Sequence, residues 1–310
     1  MEKYIIHQPS YHRLLKEYKE DLQALGYGRS SVKTYPRCLQ EFLSRLEQQQ
    51  INSIRKIQQG HITAHHAYLQ QRPTLYRGGA LSSSTISQHL FAIRTCFAFL
   101  ERTGQIKENP MSALAFAAPV KTERIILSPA EIGGLYEAAG TLRDKAALNL
   151  FYGCGLRRSE AVALNINDIH FKAQLLYVRE GKGKKRRAIP LTEKVADGLK
   201  NYYLYERQGY VNVKARQPEE AFILNNSGTR MQGLGYDTLL KKLLEKSALT
   251  HLKGQISLHH LRHSIASHLL ENGVKMTYVR DFLGHSCLNT TQVYTHIHQR
   301  QLKQMNPPVP

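Results

Sequence analysis

Six side chains of this sequence are of types that act on charged oxygen: Arg157 in "GLRRSE", Lys182 in "GKGKKRR", His259 and Arg262 in "LHHLRHSIASHLL", His285 in "LGHS" and Tyr294 in "NTTQVYTHIH". Arginine offers a planar fork of donors that matches an oxyanion. Arg157 follows Gly155, which breaks one helix, and precedes Ser159 and Glu160, which suit the start of the next, so its guanidinium would sit beside a helix N-terminus and face an anion. His259 and Arg262 lie three apart at the opening of a helix and share a face. Lysine brings a long arm and an ammonium proton. A phenol, with a pKa of about 10, is a nucleophile only where positive charge and a proton acceptor help it.

Each residue also has an ordinary reading when taken alone. Arg157 can be a surface arginine, "GKGKKRR" a solvated charge run, His285 a structural hydrogen bonder in a turn and Tyr294 a half-buried packing residue. His259 and His263 are four apart, as in a zinc motif, but His260 stands where that motif has its glutamate and no third ligand declares itself.

Helices must position most of these groups. In the first hundred residues one amphipathic helix carries Leu14, Leu15, Tyr18, Leu22 and Leu25 and ends at Gly26. A second begins after "GRSS" with Val32, Tyr35, Leu39, Phe42, Leu43 and Leu46 on one face and Pro36 near its first turns. A shorter one covers "HITAHHAYLQQ". A fourth follows Ser82 to Ser84, with a stripe of Ile86, Leu90, Ile93, Phe97 and Leu100 closed by Gly104. Gln88, His89 and Arg94 fall outside that stripe, which makes this helix the candidate for contact with a partner.

The stretch "MSALAFAAPVKTERIILSP" has small residues, prolines and no sustained period, as a linker does. The fold class is therefore mostly α with a small β-hairpin or sheet in the second domain: residues 1–110 form a helical domain, 111–123 the linker and 124–310 the second domain with its tail. The β signal is "QLLYVREGKGKKRRAIPL", two apolar segments around a glycine and lysine turn. After Tyr294 a short helix ending before Pro307 would pack through Leu302 and Met305.

Composition narrows the partner. Among 310 residues, 43 Lys and Arg stand against 24 Asp and Glu, a formal net charge of +19, so a polyanion is the natural ligand. The hydrophobic fraction of 42% suits a globular chain, and no run approaches the roughly 18 apolar residues of a membrane span. The first twenty residues lack a secretory h-region, so the expected location is the cytoplasm, at the nucleoid, with no membrane partner. Cys38, Cys96, Cys154 and Cys287 are scattered and read as buried reduced thiols.

Four segments, "GCGLRRSEAVAL", "REGKGKKRRAIPL", "LHHLRHSIASHLLENG" and "LGHSCLNTTQVYTHI", resemble in order and separation the signature of the tyrosine recombinase, or phage integrase, family. "SSSTISQHLFAIRTCFAFLERTGQIKENP" is similar to the end of that family's SAM-like core-binding domain, so the resemblance covers about residues 10 to 300. It implies that Arg157, not Arg158, and Arg262 clamp a scissile phosphate, that His259 transfers or shares a proton, and that His285 bonds the phosphate. It further implies that Lys182 protonates the leaving 5′ oxygen and that Tyr294 is the nucleophile; Lys184 and Lys185, close by in the same basic turn, are candidate DNA contacts and the alternatives to Lys182.

The size and layout resemble the simple Xer-like members. The reaction implied is site-specific DNA strand cleavage and rejoining through a 3′-phosphotyrosine, with no cofactor, metal or ATP. The implied partners are duplex DNA carrying a recombination site and three further protomers, in a homo-tetramer or a hetero-oligomer with a related recombinase. Two other readings use the same fold: a type IB topoisomerase-like relaxer, which rejoins the same strand as a monomer, and a non-catalytic DNA-binding protein.

Overall fold

The computed structural model describes residues 4–74, 78–118, 125–179, 186–211 and 219–284. The chain divides into two compact units, Met1–Thr122 and Glu123–Pro310, each with its own apolar core.

The first unit is helical: α1 (Pro9–Ala24), α2 (Arg29–Gln48), α3 (Gln59–Gln71) and α4 (Ser83–Arg102). Tyr11, Leu14, Tyr18 and Leu22 recur on one face of α1 and pack on Leu39, Phe42, Leu43 and Leu46 of α2 and on Ile93, Phe97 and Leu100 of α4. The Ser82 hydroxyl accepts from the Thr85 amide at 3.1 Å and fixes the start of α4. Gly104, at φ +70°, takes the left-handed turn that ends it.

Three expectations for this unit are corrected. Leu25 belongs to the cap after α1 and is exposed, because the helix has ended and its side chain no longer follows the buried stripe. Helix α2 starts at Arg29, so Pro36 lies well inside it and not in its first turns. His89 is buried, not off the stripe: it stands four residues before Ile93, on the face that meets the buried Glu41 of α2. Glu41 is ion-paired with Arg72 at 2.5 Å, and His89 Nε2 lies 3.9 Å from its other oxygen.

The second unit opens with α5 (Pro129–Ala138), whose N-cap Ser128 exchanges bonds with Glu131. Then follow α6 (Leu142–Leu148), a π-helical turn over Asn149–Gly153, and α7 (Arg158–Ala163). Strands β1 (Ile169–His170), β2 (Leu175–Val178) and β3 (Arg187–Pro190) form an antiparallel sheet in the order β1-β2-β3, with Val178 opposite Arg187 and Leu176 opposite Ile189. Helices α8 (Glu193–Asn201), α9 (Gly233–Lys246), α10 (Leu258–Glu271) and α11 (Met276–Leu283) complete it. The core gathers Phe151, Leu176, Ile189, Leu240, Leu261 and Ile265 from these elements.

Lys182, Lys184 and Lys185, expected in the hairpin turn, and His285, Cys287, Tyr294, Leu302 and Met305 lie outside the described residues. Cys38, Cys96 and Cys154 are buried free thiols. Among the described residues no helix is long and apolar enough to cross a membrane.

The turn between α6 and α7 brings the backbone close to α11. The π-turn bonds the Cys154 amide to the Asn149 carbonyl at 2.8 Å, and Gly155 then adopts φ +58°. A Cβ on Gly155 would stand 2.9 Å from Leu283 Cδ2 and 3.1 Å from Phe282 Cε1. Gly155→Ala should therefore destabilise the protein by about 3 kcal/mol, through the left-handed backbone and the overpacking together. Equilibrium urea unfolding checks this, and a loss under about 1 kcal/mol would mean that α11 simply shifts aside.

Candidate active site

Arg157 is the N-cap of α7, in extended conformation, directly after the Gly155 turn. Its amide donates to Glu160 Oε2 at 2.8 Å and its Nη1 to Glu160 Oε1 at 2.8 Å, so the carboxylate three residues on closes the helix start and holds the guanidinium. Arg187, from β3, grips the same carboxylate with two parallel bonds, Nη1 to Oε1 at 2.9 Å and Nη2 to Oε2 at 2.8 Å. Arg262, from α10, brings its Nη1 to 3.8 Å from Glu160 Oε2.

The end of α11 provides the second anchor. A helix C-terminus exposes carbonyls that have no partner within the helix and carries partial negative charge. Here three successive carbonyls each accept from a different arginine: Phe282 from Arg187 Nε at 3.1 Å, Leu283 from Arg262 Nη2, and Gly284 from Arg157 Nη2 at 3.4 Å. Arg262 Nη1 also donates to the Gly155 carbonyl, so the turn takes part in holding the guanidinium.

Three guanidiniums thus surround one carboxylate and leave an excess of two positive charges. The side chains of Arg187 and Arg262 are closed off, at 3% and 4% exposure, whereas that of Arg157 remains 17% open. Burial and the neighbouring Arg157 press the Arg262 guanidinium down to about 9, which leaves it cationic at neutral pH. Burial works to raise the Glu160 carboxyl, but the bonds and charge of Arg187, with those of Arg157, hold it at about 2. Such a cluster suits an anion with several oxygens.

His259 stands exposed in the first turn of α10, three residues from Arg262. Partial burial, then Arg262 and Arg157, lower its pKa, so it is neutral at pH 7 and able to accept a proton. Its neighbour His260 turns back, its Nδ1 accepting from the Ser257 amide at 3.0 Å, and so serves as the helix cap. His263 packs its ring 6.0 Å from that of His259. Among the described residues no three His, Cys, Asp or Glu side chains are grouped to hold a metal ion.

Of the expected site residues, Arg157, His259 and Arg262 are brought to the start of α7 and the first turn of α10. In the first unit Gln88 and Arg94 are exposed on α4, with Arg94 Nη2 3.3 Å from the Leu114 carbonyl, while His89 is buried as noted above.

Two members of the cluster escaped sequence reasoning. Glu160 reads as a helix-start residue, and Arg187 disappears into a basic run. A signal for Arg187 was present: it lies two residues before Ile189, so the strand period puts both on the inward face.

Residues 126–301 match the model of the phage integrase family, and residues 15–104 that of the phage integrase N-terminal SAM-like domain. The chain belongs to the phage integrase family of tyrosine recombinases, and its activity is site-specific DNA recombination. It is 37% identical over 230 residues to tyrosine recombinase XerD of Oceanobacillus iheyensis, covering 72% of this chain and 75% of that one. It is 32% identical over 286 residues to tyrosine recombinase XerC of Bacillus subtilis, covering 90% and 89%.

In fold it is similar to the Tn1549 transposon integrase in complex with circular intermediate DNA, at a TM-score of 0.69 and 19% identity over 94% of each chain. A lambda integrase dimer bound to a core site gives a TM-score of 0.66 at 18% identity, over 89% of this chain and 95% of that one.

The Glu160 network makes a prediction about acid. Its folded pKa, about 2, is below the ordinary 4.5, so its ionisation stabilises the folded state above pH 4.5 and that contribution is lost as the pH falls toward about 2. Glu160→Gln should be less stable at neutral pH and show a flatter decline across that window, measured by chemical denaturation at several pH values. Parallel curves for the two proteins would show that Glu160 is not held so far down.

Proposed function

We propose that Tyr294 is the nucleophile of strand cleavage and that Arg157 and Arg262 clamp the scissile phosphate. The observation that supports this reading most is the Arg157 and Arg262 pair around Glu160, with its excess of positive charge and its partly open Arg157. A phosphodiester carries one negative charge, and attack at phosphorus builds more on the non-bridging oxygens. Fixed guanidinium donors aimed there stabilise the transition state without having to reorganise.

In the proposed step the Tyr294 phenolic oxygen bonds to phosphorus as its proton passes to a base, for which neutral His259 is the candidate. The bond from phosphorus to the 5′ oxygen breaks, and Lys182 gives that oxygen a proton. The product is a 3′-phosphotyrosine and a free 5′-hydroxyl. His285 adds a further bond to the phosphate. Because the phosphodiester energy is kept in the covalent link, a 5′-hydroxyl of a second strand reverses the step, and strands are exchanged without ATP.

The basic surplus of the chain, +19, supplies the affinity for duplex DNA, which falls steeply with salt. In the helical domain, residues 1–110, α4 would contribute Gln88 and Arg94 to the DNA surface, and Lys184 and Lys185 would do so from the hairpin. The assembly proposed is four protomers on two duplex sites, of this chain alone or mixed with a related recombinase.

Tyr294→Phe should bind duplex DNA with unchanged affinity and form no covalent adduct on a nicked suicide substrate, scored by denaturing gel. Adduct at normal yield in this variant would move the nucleophile to another residue.

A further inference from the structure

Arg187 is conspicuous because its guanidinium grips both oxygens of Glu160 and yet is closed to solvent, at 3% exposure of its side chain. Its Nη1 and Nη2 are both committed to the carboxylate, and its Nε to the Phe282 carbonyl. Resting on the strand-transfer reading above, we infer that Arg187 is a positioning residue: the counter-ion that holds Glu160 and keeps the field of Arg157 and Arg262 available to the phosphate.

The carboxylate creates the need for it. Glu160 fastens Arg157 by backbone and side chain and stands 3.8 Å from Arg262, so it is the group that orients the clamp. It is also an anion beside an anion site, and a like charge at such range disfavours phosphate binding. Arg187 resolves the conflict by bonding both carboxylate oxygens at once.

With Arg187 in place the cluster carries two net positive charges; without it, one remains, and Arg157 becomes the principal partner of Glu160. The third donor of Arg187, Nε, bonds the Phe282 carbonyl, one residue before the carbonyl that holds Arg262. Arg187 thereby also ties strand β3, which follows the hairpin tip, to the end of α11.

The role assigned is electrostatic, and charge restoration is its signature. Arg187→Met leaves one net charge; Arg187→Met with Glu160→Gln brings the cluster back to two and leaves no buried carboxylate unpaired, a neutralisation that folded cores tolerate. Arg187→Lys keeps the charge and loses the fork.

The measurement is the single-turnover rate of covalent adduct formation at saturating protein, with melting temperature and duplex affinity recorded for every variant. Arg187→Met should slow adduct formation about 100-fold, the scale of losing one fixed transition-state stabiliser. The double variant should recover at least about tenfold of that, and Arg187→Lys should stay within about tenfold of the unmodified protein. Duplex affinity should be nearly unchanged throughout, since it is spread over many phosphate contacts of a chain with a net charge of +19.

The inference fails if the double variant is no faster than Arg187→Met, or if Arg187→Met melts and cleaves like the unmodified protein. If Arg187→Met does not fold, the double variant carries the test, and a rate about 100-fold below that of Arg187→Lys overturns the inference.

A second readout uses DNA-free protein and orthovanadate alone, scored as a rise in melting temperature. The rise should be comparable in the unmodified and double variants and smaller in Arg187→Met; an undiminished rise in Arg187→Met overturns the inference. Should the unmodified protein form no adduct while this vanadate order holds, the strand-transfer assignment fails and the role of Arg187 in the anion site stands.

Discussion

The second unit is organised around one buried carboxylate. Glu160 is taken out of water, which is unfavourable for a charge, and is retained because guanidiniums from three separate elements converge on it. Those elements are the start of α7, strand β3 and helix α10, far apart in the chain. The same guanidiniums close the carbonyl end of α11 at Phe282, Leu283 and Gly284. One negative side chain and one helix terminus thus fix the three cations in place. The cluster remains short of negative charge, which suits it to the phosphate contact proposed above.

The local backbone serves this arrangement. The π-turn at Asn149–Gly153 and the left-handed Gly155 bring the chain close enough to α11 for a glycine carbonyl to meet Arg262, and for Arg157 to begin a helix facing inward. Positive φ and the absence of a Cβ are both needed there, since any side chain would press on Leu283 and Phe282. The histidine pair in α10 divides its work in the same local manner: His260 caps the helix, and His259 is left outward and neutral beside the arginines.

Much of this was legible in the order of residues. Helical periods marked α1, α2 and α4, and the "GLRRSE", "GKGKKRR", "LHHLRH" and "VYTH" segments carried the family resemblance that the comparisons bear out. What misled was the assumption that polar residues leave an apolar stripe. His89 is on the stripe because Glu41 and Arg72 wait opposite it, a partnership that no single-helix pattern reveals. Arg187 was hidden for the converse reason: in a run of basic residues, only the strand register separates Arg187, which turns inward, from the exposed Arg186.

The sequence by itself determined the elements, the basic surplus and the identity of the chemical groups, because helical periods, glycine turns and motif spacing are properties of nearby residues. Tertiary structure alone decided which charges are paired. Glu160 with Arg187, and Arg262 with Gly155 and Leu283, meet across 27, 107 and 21 residues of chain. Burial makes those meetings matter, for an ion pair is weak in water and strong where water is excluded. No local pattern records which residues the fold will exclude from water together.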